Sequence, residues 1–250
     1  MEIRYFKHYS SHLGRDMEFK VYGHTGRPVL FIPCQSGRFF DFENFGMVEH
    51  WAPFIESGKC TVFTCDTIDD ITWAAKGQDC RWRIENHERW YNYIVEELVP
   101  YIRHLSGERN GYDRGIMTFG ASMGAMHAAN LFFRRPDLFD GVFAISGLYD
   151  SLDSFGDYMD DLVYNNCPVN YLANMPWDHP YISMYNQRQI LVVVGRGRWE
   201  EVLIESTDRL NKVLREKGIN ATVDYWGYDV DHDWPWWYKM VEHYLPHLLG

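Results

Sequence analysis

The sequence predicts one α/β domain built on a mostly parallel, doubly wound sheet. Three observations predict it. Short, nearly unbroken apolar runs recur along the chain, as strands buried on both faces of a parallel sheet require. Amphipathic segments of helical period lie between them. The alternation continues through the whole length without a repeat, a low-complexity tract or a linker, the pattern of a sheet covered by helices on both sides. The chain has 250 residues, 46% of them hydrophobic and 17% aromatic. That is enough for one large core, and residues 1–250 read as a single domain.

Taken in order, the opening "MEIRYFKHYSSHLGRD" is polar and charged. It lacks the apolar core of a secretory signal, and no window approaches the length of a membrane span. A cytoplasmic location without a membrane partner is the expectation. "MEFKVYGH" (17–24) alternates and predicts an edge strand. "PVLFIP" (28–33), "CTVFTCD" (60–66), "GIMTF" (115–119), "GVFAIS" (141–146), "ILVVVG" (190–195) and "ATVDYWG" (221–227) predict the remaining strands.

Between them, "NHERWYNYIVEELVPYIRHL" places Trp90, Ile94, Leu98 and Ile102 four residues apart, a helical spacing. "STDRLNKVLREKG" (206–218) sets Leu210, Val213 and Leu214 on one face, with Ser206 to cap its start and Gly218 its end. The tail from Pro235 to Leu249 predicts a closing helix with proline in its first turn. Residues 146–189 are longer than an ordinary connection and read as an insertion over the sheet, a lid or binding surface.

Composition excludes some functions. A net charge of −11 argues against nucleic acid or an anionic membrane as partner. Cys34, Cys60, Cys65, Cys80 and Cys167 form no CxxC pair and read as free thiols. No metal site is expected from them.

The chemistry concentrates at "FGASMGA", where G-x-S-x-G around Ser122 falls between a predicted strand and a predicted helix. That is the setting of a nucleophile elbow, in which a strained turn lifts the serine hydroxyl above the sheet edge. The following helix points its positive end at the same place. The plain alternative is a glycine-rich turn whose serine caps a helix; the strand before and the helix after weigh against it.

A nucleophilic serine needs a base, and elbow chains order the triad as serine, acid, histidine. Of the eleven histidines, His232 follows the last predicted strand. His127 lies on the elbow helix and reads as packed. His243 and His247 stand four apart on the last helix, a spacing that can bind metal but reads as a solvated face without a third ligand. His179, in the insertion, reads as a loop residue. The acid belongs after "ILVVVG", where Glu200 is the first carboxylate and Glu201 the next; Asp150, after "GVFAIS", is the rival. For an oxyanion, the N–H of Met123 is one donor. The loop after "PVLFIP" supplies the second, with Ser36 preferred over its neighbours Gln35 and Gly37. Phe39, Phe40, Trp73, Trp177 and Trp234 read as aromatics for a substrate ring or for the core.

The stretches "GRDMEFKVYG", "FGASMGA", "GRGRWEE" and "DVDHDWPWW" resemble, almost end to end, the putative-esterase group of α/β-hydrolases. That group contains S-formylglutathione hydrolases, feruloyl and acetyl esterase domains, enterochelin esterases and mycobacterial mycolyltransferases. The resemblance implies an α/β-hydrolase fold and a serine ester hydrolase without metal or organic cofactor. By the mycolyltransferase pattern it places the acid at Glu200 or Glu201. The resulting expectation is a serine carboxylesterase acting on a small-molecule ester with a short acyl or aryl (cinnamoyl-type) group. An acyltransferase using the same triad, or a silent binding protein of this fold, is the alternative.

Overall fold

Each apolar run becomes a strand in the computed structural model, which describes residues 1–111 and 115–250. The strands are β1 (Ile3–Ser10), β2 (Arg15–Tyr22), β3 (Arg27–Ile32), β4 (Cys60–Cys65), β5 (Ile116–Ala121), β6 (Phe139–Ile145), β7 (Gln189–Val194) and β8 (Thr222–Tyr225). They form one sheet in the order β1-β2-β4-β3-β5-β6-β7-β8. From β4 to β8 every neighbouring pair is parallel. β1 and β2 join antiparallel at one end.

β2 is therefore not the edge, contrary to the sequence expectation. β1 covers it, in register from Ile3↔Tyr22 to Ser10↔Arg15. β1 is the true edge, with Ile3, Tyr5 and Tyr9 exposed, so it never shows the continuous apolar signature of a buried strand. Its alternation of charged and aromatic residues is the pattern of a solvated edge.

The helices are α1 (Asp41–Asn44), α2 (Met47–Glu56), α3 (Cys80–Asn92), α4 (Val99–Asn110), α5 (Met123–Arg134), α6 (Leu152–Phe155), α7 (Asp161–Asn165), α8 (Pro168–Asn174), α9 (Pro180–Tyr185), α10 (Glu201–Glu216) and α11 (Trp234–Leu249). α2 and α11 cover one face of the sheet, packing Trp51, Ile55, Trp237 and Met240 against Phe31, Phe119 and Val193. Helices α3, α4, α5 and α10 cover the other, packing Ile94, Ala128 and Leu210 against Leu30, Val142 and Val192. No helix among the described residues is long and apolar enough to cross a membrane.

α3 and α4 are one continuous run joined by a π-helical segment, Tyr93–Leu98. The four-residue spacing explains it. In a pure α-helix residues four apart drift steadily around the axis, because a turn takes only 3.6. A π turn takes more residues and cancels the drift. Trp90, Ile94, Leu98 and Ile102 consequently all stay buried.

α10 begins at Glu201, five residues before the predicted cap. Ser206 is buried inside the helix, where its hydroxyl donates to Asp150 Oδ2 at 2.7 Å and accepts from the Tyr149 N–H at 2.8 Å. The helix ends as expected, with Gly218 just beyond it at φ +65°. The insertion at 146–189 folds as α6–α9. It is fastened to the body: Phe155, Val163 and Cys167 pack with Trp73, Met123 and Met126, and the buried Arg83 donates to the carbonyls of Thr72, Trp73 and Ser154.

Candidate active site

The carboxyl ends of the parallel strands bring the chemistry together, as open α/β sheets do. β5 ends at Ala121, and Ser122 follows at φ +57°, ψ −129°, a backbone region that a residue with a Cβ rarely adopts. Its N–H donates to Ile145 O at 2.9 Å, which holds the turn. The two glycines are needed for close approach. A Cβ on Gly120 would sit 2.4 Å from the backbone of Gly124, and one on Gly124 would sit 2.2 Å from Ile32 O. The strand can thus run directly into α5, and the start of α5 can lie against the chain leaving β3.

His232 stands in the loop between β8 and α11, its Nε2 3.0 Å from Ser122 Oγ. Its N–H donates to Arg198 O at 3.0 Å. The edge of Trp237 supports the ring, with centroids 5.0 Å apart and planes at 86°. Behind it lies Glu200, fully buried, with Oε1 3.5 Å from His232 Nδ1. That separation is an ion-pair distance and long for a hydrogen bond. The same oxygen accepts from Ser146 Oγ at 2.6 Å. Ser146 is itself buried at φ +52°, and its N–H donates to Val193 O. Sequence reasoning missed Ser146 and Trp237. Ser146 lies 54 residues from the carboxylate it holds, and only the pairing of β6 with β7 brings it near.

The rival carboxylates point elsewhere. Asp150 is committed to Arg209, whose Nη2 lies 2.9 Å from Oδ2, and to Ser206. Glu201 is exposed on the first turn of α10. Arg198 pairs with Asp231 at 2.6 Å, and this contact holds the Asp231 carboxyl below its ordinary range. His127 is packed, its Nε2 2.8 Å from Asp69 Oδ1. His179 accepts from the Tyr181 N–H at the start of α9. His243 and His247 are exposed, and no group of three or more histidine, cysteine or carboxylate side chains among the described residues is placed to hold a metal.

Met123 opens α5, so its N–H is one of the donors a helix start leaves without an intrahelical partner. The second expected donor, Ser36, already has a partner. The Ser36 N–H is directed to Asp69 Oδ2 at 3.1 Å, and the Gly37 N–H to Cys34 O at 2.8 Å. A single N–H so engaged does not turn toward a second acceptor. Gln35, exposed beside them, carries the remaining N–H of the three.

Residues 10–248 match the family described as "Putative esterase". The chain belongs to the putative-esterase family. Solved structures similar to this family member include a ferulic acid esterase, at 18% identity and TM-score 0.76, covering 99% of this chain and 98% of that one. The S-formylglutathione hydrolase FrmB of Staphylococcus aureus is similar at 13% identity and TM-score 0.69, covering 100% and 97%. MPT51 of Mycobacterium tuberculosis is similar at 15% identity and TM-score 0.70, covering 100% and 98%. At such identities the likeness is one of fold. No curated protein matches in sequence.

The esterase-family fold sorts the expected aromatics. Phe39 and Trp73 are buried, Trp177 is exposed on the insertion, and Phe40 is half-buried. Trp234, beside His232 in sequence, stacks flat on Phe45 with centroids 4.7 Å apart. Trp199, next to Glu200, is exposed at φ +65°.

Proposed function

We propose that the protein is a serine carboxylesterase with Ser122 as nucleophile, His232 as base and Glu200 as the acid. The observation that carries this reading is the 3.0 Å contact of His232 Nε2 with Ser122 Oγ on a strained strand-to-helix turn. His232 takes the proton as Ser122 attacks the ester carbonyl. The oxyanion that forms is received by the N–H groups of Met123 and Gln35. His232 returns the proton to the leaving alcohol, an acyl-enzyme remains, and water activated by the same imidazole clears it. Glu200 fixes the tautomer and stabilises the imidazolium. Metal and organic cofactor take no part in this scheme.

The substrate is a small-molecule ester with a short acyl or aryl (cinnamoyl-type) group. Support comes from the aromatic residues near the histidine loop and from a fold shared with a ferulic acid esterase. The test is hydrolysis of p-nitrophenyl esters of increasing chain length and of methyl ferulate, with a fluorophosphonate probe in parallel. Turnover with probe adduct on Ser122, both lost in Ser122→Ala, is the expected result. An active alanine variant, or labelling at another residue, refutes the assignment.

A further inference from the structure

Three chain segments meet beside Ser122: the loop leaving β3, the loop leaving β4, and the start of α5. One buried side chain touches the other two segments. Asp69, on the short turn Asp69–Ile71, accepts from the Ser36 N–H on Oδ2 at 3.1 Å, and its Oδ1 lies 2.8 Å from His127 Nε2. The side chains of Asp69 and His127 are each only 2% exposed. We propose that Asp69 and His127 are positioning residues which tie the β3 loop to the nucleophile helix and set the spacing between the N–H groups of Gln35 and Met123. The inference rests on the serine-esterase reading above and deepens it.

Ser36 stands at φ +55°, and such a residue persists only where its surroundings over-determine it. The carboxylate bond to its N–H is one such constraint. The plane that carries the Gln35 N–H also contains the Cys34 carbonyl, which accepts from the Gly37 N–H at 2.8 Å, so the turn held at Ser36 sets where the Gln35 N–H points. The other end of the link is rigid as well. His127 lies on α5, five residues after the nucleophile, with its ring against Trp90 at 5.0 Å and His87 at 5.2 Å between centroids. Its Nε2 carries the proton that bonds Asp69.

The far half of the β3 loop has separate anchors. The Phe39 N–H and the Arg38 side chain donate to Asp66, and Thr67 donates to Gly37 O through both N–H and hydroxyl. Losing the Asp69–His127 link should therefore shift the two oxyanion donors relative to each other while leaving the loop in place. The cost falls where charge develops on oxygen and spares ground-state binding.

The test compares an oxygen ester with its matched thionoester, whose sulfur is a poor ligand for N–H donors. In His127→Leu, kcat for the oxygen ester should fall about 10- to 100-fold, a fraction of what a whole donor contributes. KM should stay within about twofold, and the ester-to-thionoester ratio of kcat/KM should collapse by the same factor. His127→Gln keeps an Nε2–H at similar reach and should recover the ratio to within about threefold of wild type. Asp69→Asn serves as the second variant should His127→Leu not fold, and it should lower the ratio likewise. A wild-type ratio in either folded variant, or equal losses on both substrates, overturns the proposal. Failure of the esterase reading shows separately, as a wild type that leaves Ser122 unlabelled or as hydrolysis that survives Ser122→Ala.

Discussion

Replacing Glu200 by glutamine removes one charge and keeps the shape. Ser146 can still donate to the amide oxygen, so the buried site stays packed. The lost quantity is the attraction between the carboxylate and the imidazolium that exists only while His232 holds the serine proton. At 3.5 Å and an effective dielectric near 20 that attraction is about 5 kcal/mol. At about 1.4 kcal/mol per decade, kcat should fall between about 10³- and 10⁴-fold, with KM little changed, because the imidazolium is absent from the ground state. Steady-state hydrolysis of p-nitrophenyl acetate measures it, with folded protein counted by circular dichroism. Glu201→Gln and Asp150→Asn are the comparators and should stay within about tenfold of wild type. Asp150→Asn should lower Tm, since it removes the partner of Arg209. Glu200→Gln within tenfold of wild type refutes the reasoning, and a crippled Asp150→Asn moves the acid to the end of β6.

Ser146→Ala removes a buried hydrogen bond to a carboxylate, worth about 1.5–3 kcal/mol, so kcat should drop roughly 10- to 100-fold through a loosened Glu200; an unchanged kcat assigns Ser146 a purely structural place. Gly124→Ala drives a methyl into Ile32 O and Pro33 O, and should cost about 1–3 kcal/mol in urea unfolding and lower kcat as α5 retreats from the β3 loop. His87 has its basicity held far below the ordinary range, first by burial and then by the charges of His127 and Arg134. Below about pH 6.5 the unfolded chain therefore binds a proton there that the native chain refuses, and stability falls with acidification by up to about 1.4 kcal/mol per pH unit. Urea titrations at pH 5, 6 and 7 should show His87→Gln with a slope shallower by up to one proton, and an identical slope contradicts the assignment.

Strands β3–β7 were legible because burial on both faces demands unbroken apolar runs, a demand written locally, while β2 showed as an alternation and β8 as a short run at the far edge. β1 was not, because its outer face meets water and its pairing with β2 is set by a turn. The elbow was legible for the same local reason: two glycines and a serine between a strand and a helix describe one backbone turn. Which of the two glutamates lies behind His232 was finer than sequence could resolve. Glu200 and Glu201 differ by whether the residue lies just before or just inside α10, and that boundary follows from Ser206 being drawn into the core by Tyr149 and Asp150. Ser146, Asp69 and the redirection of the Ser36 N–H were beyond sequence reading altogether, since each depends on partners brought together by strand order. Arg198 closes the histidine loop through Asp231, a contact between residues 33 positions apart.

The wide turn at Tyr93–Leu98 makes the long helix behave, in angular terms, as two helices with independent clients. Its first half serves the site side, where Arg83 and Ile84 sit under the insertion and His87 stacks beside His127. Its second half serves the antiparallel end of the sheet, where Tyr101 packs against Phe6, His8 and Phe19. Forcing ordinary pitch on all six residues of the segment would swing everything beyond it by about 100°, whereas deleting one residue as well would undo the swing. With the full length forced to that pitch, Ile102 would leave the core and Tyr101 would lose the β1–β2 ribbon. Pitch and length have to match in this segment, since either one changed alone turns its second half away from its partners.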